Sequence, residues 1–226
     1  MYTEAQVVAL VHQQRTINYV QVASATLWVY EWLILIPDEV SLVWDSNWSF
    51  MSYLYMWTRY SAIADIVLGL RSSLQVMSPR DCHISDSVNS FLILIGIYTS
   101  ELVLLWRTFA IWGNNKYVKN GLGGLWLLMI PFDLYFVSSF VSSAVYGPQL
   151  LPGLPGCNLV HASPIDIGAF ISLLVIESII VALTIIKGVQ NARLMYHGRL
   201  MPILIRDGIL FFVCLLGKMQ LLHSYY

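Results

Sequence analysis

Phe170–Ile186 reads FISLLVIESIIVALTII and carries one charged residue, Glu177. A strand wet on one face alternates apolar and polar side chains. This run does not alternate. Wound as a helix it is apolar on every face, as a helix bathed in lipid is. FLILIGIY at Phe91–Tyr98 repeats the pattern. Composition agrees. The 226 residues are 58% hydrophobic and 11% charged, with a mean hydropathy of +0.68. A soluble domain carries roughly a quarter charged residues, and this chain lacks the charge to cover a soluble surface. A soluble enzyme, a disordered chain and a secreted disulfide scaffold are excluded. The expected fold is all-α, a polytopic transmembrane helical bundle.

About 20 residues at 1.5 Å each cross a hydrocarbon core. Six spans are expected, at about 19–36, 50–70, 88–112, 122–146, 165–186 and 203–222. The first stops at Pro37, and Pro131 kinks the fourth. Residues 1–18 form an exterior segment ahead of a single membrane domain, 19–226. The N-terminus has Glu4 and no basic run before its apolar stretch, so the first span is a signal anchor and not a cleaved leader. The connections are short and polar. Residues 71–87 join spans two and three, Gly113–Gly121 is a tight turn, and Gly147–Pro164 is irregular because of its Pro and Gly content. Strands are not expected.

Lys116, Lys119, Lys187, Arg193, Arg199 and Arg206 fall on one side of this arrangement, and Arg15, Arg71 and Arg80 on the other. The positive-inside rule then places the N-terminus outside or lumenal, in the plasma membrane or another endomembrane. The sequon Asn47-Trp48-Ser49 falls on the inner side, so no glycan is expected there. Net charge is −1 without a basic block, which gives no nucleic-acid footprint.

Tyr30-Glu31-Trp32, the PDEV run Pro37–Val40, Trp44, Trp48 and Thr58-Arg59-Tyr60 within LYMWTRYS form a recognisable set. They resemble a basidiomycete family of multi-pass membrane proteins built on "domain of unknown function 6533". SELVLLWRTFAIWGNNK, Cys157, Glu177 and Arg206-Asp207-Gly208 are looser matches. The resemblance implies a seven-helix, receptor-like outline with a further helix and a cytoplasmic tail, whereas this sequence ends at Tyr226. It implies no mechanism, because the family's molecular function is not established.

Cys82 and Cys157 both fall in exterior loops of this topology. A disulfide between them would staple the fourth loop over the top of span three, as rhodopsin-type receptors do by analogy. Two unrelated free thiols are the alternative. Cys214 in span six reads as a small buried residue. Charges inside spans are costly unless paired or hydrated. Arg59, Asp65, Glu101, Asp133 and Glu177 are the candidate polar interior, with Glu31 near a span end. They line a ligand pocket or an ion path, or else they fix helix packing. Arg107, Arg206 and Asp207 are a candidate cytoplasmic switch or membrane anchor. Glu101 and Arg107 are too far apart in sequence to pair on one helix face. Ser138, Ser139, Ser142 and Ser143 suit close helix approach.

The five histidines show no metal-ligand spacing, and no nucleophile or phosphate-loop motif appears. No catalytic residue, cofactor or metal is expected. Two functions stay open. One is a receptor-like sensor of an exterior or membrane-borne ligand, with a cytoplasmic signalling partner at the loop 187–206. The other is a transporter or channel-like subunit using the intramembrane acids.

Overall fold

A computed structural model describes residues 4–149, 153 and 155–192. Five helices account for most of them: α1 (Glu4–Glu39), α2 (Phe50–Leu74), α3 (Pro79–Ile111), α4 (Lys116–Ser143) and α5 (Ile167–Ala192). Between α4 and α5 lie two short strands, β1 (Val145–Gly147) and β2 (Asn158–His161), paired antiparallel. Four helical segments are long and apolar enough to cross a membrane: Val11–Trp44, Pro79–Ile111, Lys116–Ser143 and Ile167–Gly188. That is consistent with an integral membrane protein. The helix expected as span two forms as α2, yet α2 is not among these four, because Arg59, Asp65, Arg71 and its hydroxyl groups dilute its apolar content. The expected span 203–222 and the candidates Arg206 and Asp207 lie outside the described residues, as does Cys214.

Several boundaries differ from the sequence expectation, each for a local reason. The first helix does not stop at Pro37. It runs through the proline to Glu39 and then widens into a π-helical turn, Val40–Trp44. Proline denies one amide to the preceding turn, and the π turn begins three residues after it. Residues 4–18 are helical and continuous with α1. The connection 71–87 is mostly helix. Ser78 caps α3: its hydroxyl accepts from the Asp81 amide at 3.2 Å and donates to the Asp81 carboxylate at 2.8 Å. Pro79 occupies the first helical position, where a missing N–H costs nothing. Cys82 therefore sits in the first turn of a helix and not in a loop. α2 starts with the same device, a reciprocal Ser49–Ser52 capping box.

The turn after α3 is tight, as its GNN sequence suggests. Gly113 (φ +61°) and Asn114 (φ +60°) take left-handed conformations. The Asn114 amide reaches the Phe109 carbonyl at 2.9 Å and the Gly113 amide reaches Ala110 at 3.0 Å. This Schellman closure satisfies carbonyls that the ending helix leaves open. α4 begins at Lys116, six residues before the expected Leu122, and ends at Ser143. β2 lies in the expected irregular loop Gly147–Pro164 and pairs with β1 at the end of the expected fourth span, which corrects the expectation of no strands.

The chain divides into two compact units. The first comprises residues 1–100 and 140–163, which contain α1, α2, the amino-terminal part of α3 and the hairpin. Here Cys82 and Cys157 form a disulfide, with Cα atoms 5.7 Å apart. The Gly156 amide donates to the Gln75 carbonyl at 3.1 Å, and the Gln14 side chain lies against Gly156. The amino-terminal half of α1, the α2–α3 connection and the hairpin thus share one end of this unit.

The second unit comprises residues 101–139 and 164–226. Its core joins Leu105 and Phe109 of α3, Leu122 of α4, and Ile176 and Ile180 of α5. Gly168 meets the Phe136 ring so closely that an added Cβ would stand 2.6 Å from it. Close approach of this kind is how apolar helices associate where lipid removes the hydrophobic drive.

The bridge closes a loop of sequence separation 75. Replacing Cys82 and Cys157 together by Ser is expected to cost about 2–5 kcal/mol, seen as a lower melting midpoint in detergent. Non-reducing electrophoresis of the wild type should show a mobility shift on reduction. An unchanged midpoint in the double variant would remove the bridge from the account of stability.

Candidate functional site

In the first unit the only base among the sequence-selected interior residues, Arg59, meets an acid that the sequence reading placed in a loop. Arg59 Nε and Glu39 Oε2 are 2.6 Å apart, with side chains only 9% and 2% exposed. The Nε–H is not aligned for a hydrogen bond to that oxygen, so the two form a contact ion pair, and other groups complete their hydrogen bonding. Tyr60 Oη donates to Glu39 Oε1 at 3.0 Å, and Trp44 Nε1 donates to the same oxygen at 3.2 Å. Arg59 Nη2 donates to the Trp32 carbonyl at 2.8 Å, and Nη1 to Tyr55 Oη at 3.0 Å. The guanidinium carbon also lies 5.9 Å from both the Trp32 and Tyr55 ring centroids, within cation–π range.

Local structure makes this possible. On α1, Trp28, Trp32, Leu35 and Glu39 recur at helical spacing and lie on one face. On α2, Tyr55 and Arg59 are one turn apart. Helix continuation through Pro37 brings Glu39 onto the α1 face, and the π turn brings Trp44 back to it.

A cavity of about 340 Å³ opens between α1, α2 and α3 in the same unit. Ala25 and Trp28 of α1, Asp65 and Ile66 of α2, and Asn89 and Ile93 of α3 are among its walls. Asp65 Oδ1 and Asn89 Oδ1 are buried without a hydrogen-bond partner among the described residues. A smaller cavity, about 180 Å³, lies beside it and shares Trp28 with Trp32 and Arg59. Glu31, which also borders it, is exposed.

At the disulfide end, His83 Nε2 lies 3.2 Å from the Val141 carbonyl, and its ring meets Tyr146 edge-on at 6.0 Å. The Asp86 carboxylate is hydrogen-bonded to Tyr146 and Ser72. Burial, and then the Asp86 charge, push the Tyr146 phenol above its ordinary value, so it remains a donor. Ser73 of α2 donates to Gln21 Oε1 of α1.

The second unit holds the other three selected acids, all buried: Glu101, Asp133 and Glu177. Ser172 donates to Asp133 Oδ1. Glu101 lies within electrostatic range of Trp126, Glu177 and Asp133. Arg107 is exposed. Trp112 Nε1 donates to the Leu183 carbonyl at 3.3 Å, and Lys187 Nζ stands 5.1 Å over the Trp112 ring. A lysine on a tryptophan at a helix end is the composition of a membrane-interface anchor. No cluster of metal-ligand residues occurs among the described residues.

Sequence reasoning missed Glu39, Gln21 and Asn89. Glu39 had a signal, since it lies inside the PDEV run already singled out. Gln21 and Asn89 had only their helical spacing.

Residues 19–64 match a family described as a family of unknown function, DUF6533. The whole Glu39–Arg59 network, with Trp32, Trp44, Tyr55 and Tyr60, falls inside that segment. Asp65 follows it directly. No curated protein and no solved structure matches the chain.

Removing one member of a buried pair leaves the other charge uncompensated, at about 3–5 kcal/mol. Glu39→Leu and Arg59→Met are each expected to depress the melting midpoint strongly. The double variant should recover much of the loss. Additive losses in a double-mutant cycle would show that the two side chains are not coupled.

Proposed function

We infer that this is a multi-pass membrane protein acting as a receptor-like sensor of an exterior or membrane-borne ligand. The cavity between α1, α2 and α3 carries the reading. Its walls are apolar apart from a few polar groups, two of them lacking partners, and its size is that of a small-molecule site. α2, at 25 residues, is long enough to cross with the four apolar helices: Arg59 pairs with Glu39, Asp65 borders the cavity, and Arg71 lies in its last turn. The span 203–222 would add a sixth crossing.

The N-out orientation places the hairpin and its disulfide outside. Support comes from Gln14 beside Gly156 and Gln21 beside Ser73, which put the start of α1 and the bridge at one end of their unit. The basic segment 187–206 then faces the cytoplasm, where a signalling partner or anionic lipid would meet it. A sequon built at Gly153 is expected to be glycosylated while Asn47 stays bare. The reverse pattern would invert the topology.

A transporter or channel-like subunit is the second reading, favoured by the proximity of Glu101, Asp133 and Glu177. Such acids mark ion or proton paths in membranes. Two measurements separate the readings. Proximity labelling from a tag within 187–206 should recover a cytoplasmic signalling protein if the chain is a receptor. Purified protein in liposomes should then show no ion or proton flux. Flux that disappears when Asp65, Glu101 and Glu177 become amides would instead establish a pathway.

A further inference from the structure

We propose that the chamber between α1, α2 and α3 takes an amphipathic ammonium, a protonated amine head on an apolar body. The assignment deepens the sensor reading and rests on the same cavity. It starts from unmet valence. Asp65 Oδ1 and Asn89 Oδ1 are both acceptors, both buried, and both without a donor among the described residues. Buried acceptors normally find donors, and an unmade bond in a dry site is costly. A ligand that fits must therefore bring hydrogens.

The number of hydrogens selects the head group. A hydroxyl brings one proton and can serve one acceptor. An ammonium brings three N–H donors, enough in number for both. Charge selects in the same direction. The chamber wall holds one acid, Asp65, and no base among the described residues. A cation there meets a carboxylate and gains a charge-assisted bond. A carboxylate ligand would be repelled. Trp28 adds an aromatic face at the chamber wall, a surface that ammonium groups favour.

The remaining walls select the body. Ala25, Ile66, Leu70 and Ile93 offer hydrocarbon, and Gln21 and Ser24 complete the wall. The hydrocarbon part matches a short alkyl or cyclic skeleton. The neighbouring Arg59 does not disturb this balance. Its charge is neutralised by Glu39, and its Nη1 and Nη2 donors reach Tyr55 and the Trp32 carbonyl. The two sites thus divide the work along α1: a compensated pair toward one end of the helix, and an acid with an open oxygen nearer its middle.

The test uses the full chain in lipid nanodiscs and an alkylamine carrying a diazirine as photoprobe. Octylamine, octanol and octanoate serve as competitors of equal chain length. Labelling is expected on peptides containing Trp28, Ile66 and Ile93. Octylamine should compete at least tenfold better than octanol, and octanoate should not compete. Asp65→Asn should lower labelling at least tenfold, and Asp65→Glu should retain it. Asn89→Asp adds a second acid to the wall and should raise labelling severalfold, a gain that misfolding cannot produce. Equal competition by octanol and octylamine would overturn the proposal. So would unchanged labelling in Asn89→Asp, even where Asp65→Asn fails to fold. The outcome is separable from the wider reading. Failed amine labelling together with a recovered signalling protein would refute the ligand class and leave the sensor standing. Amine labelling together with ion flux would keep the site and refute the sensor.

Discussion

The pairing of Glu39 with Arg59 constrains everything around it. Two opposite charges withdrawn from water are tolerated only when they meet each other and when their remaining donors and acceptors are served. The chain meets most of those terms with two phenols, the Trp44 indole and the Trp32 carbonyl, all from α1, α2 and the turn between them. Meeting them fixes the geometry. α1 must remain helical through Pro37 to deliver Glu39. The π turn must then fold Trp44 back onto it. α2 must run antiparallel to α1, so that Arg59 faces Trp32 near one end and Ser73 faces Gln21 near the other.

Polarity is distributed in the same sense throughout both units. Large apolar side chains such as Tyr19, Leu27, Leu128 and Tyr117 stand on the outside, while Glu39, Glu101, Asp133 and Glu177 are buried. A water-soluble protein arranges these the other way round. In lipid the cost of exposure is reversed, and polar groups gather where they can find one another. The hydroxyl-rich helices show the same economy: Thr26, Thr108, Ser178 and Thr184 each donate to the carbonyl one turn back on their own helix. That leaves no hydroxyl donor facing hydrocarbon at those positions.

Much of this was legible in the sequence. Continuous apolar runs such as Phe170–Ile186 located helices α3, α4 and α5, although α3 starts nine residues before the expected 88, α4 six before 122, and α5 runs six past 186. Cys82 and Cys157 could be placed on one side from the order of the spans, and the structure brings them together. The misreadings share a cause. Hydropathy averages over a window, and it cannot tell a proline that ends a helix from one that the helix runs through. Pro37 was therefore read as a stop, and Glu39 was assigned to a loop. The short Val145–Gly147 strand is equally invisible to such a window. It depends on Tyr146 and Leu159 being held opposite each other in a hairpin, near the disulfide formed by Cys157. The capping pair Ser78–Asp81, by contrast, was readable by rule and would have started α3 at Pro79.

Grouping the interior charges by sequence alone treated Arg59, Asp65, Glu101, Asp133 and Glu177 as one set. Their surroundings separate them into three chemical conditions. Arg59 is neutralised by contact. Asp133 accepts from Ser172, and Glu101 and Glu177 lie buried within electrostatic range of each other in the same unit. Asp65 alone borders open space with an oxygen unserved by the described residues. A group already neutralised contributes architecture, and a group already hydrogen-bonded contributes packing or a place for a proton. A group with unmet valence beside a cavity has binding energy still available to a molecule that arrives. The case for ligand recognition therefore rests on Asp65 and its neighbour Asn89, rather than on the total of buried charges.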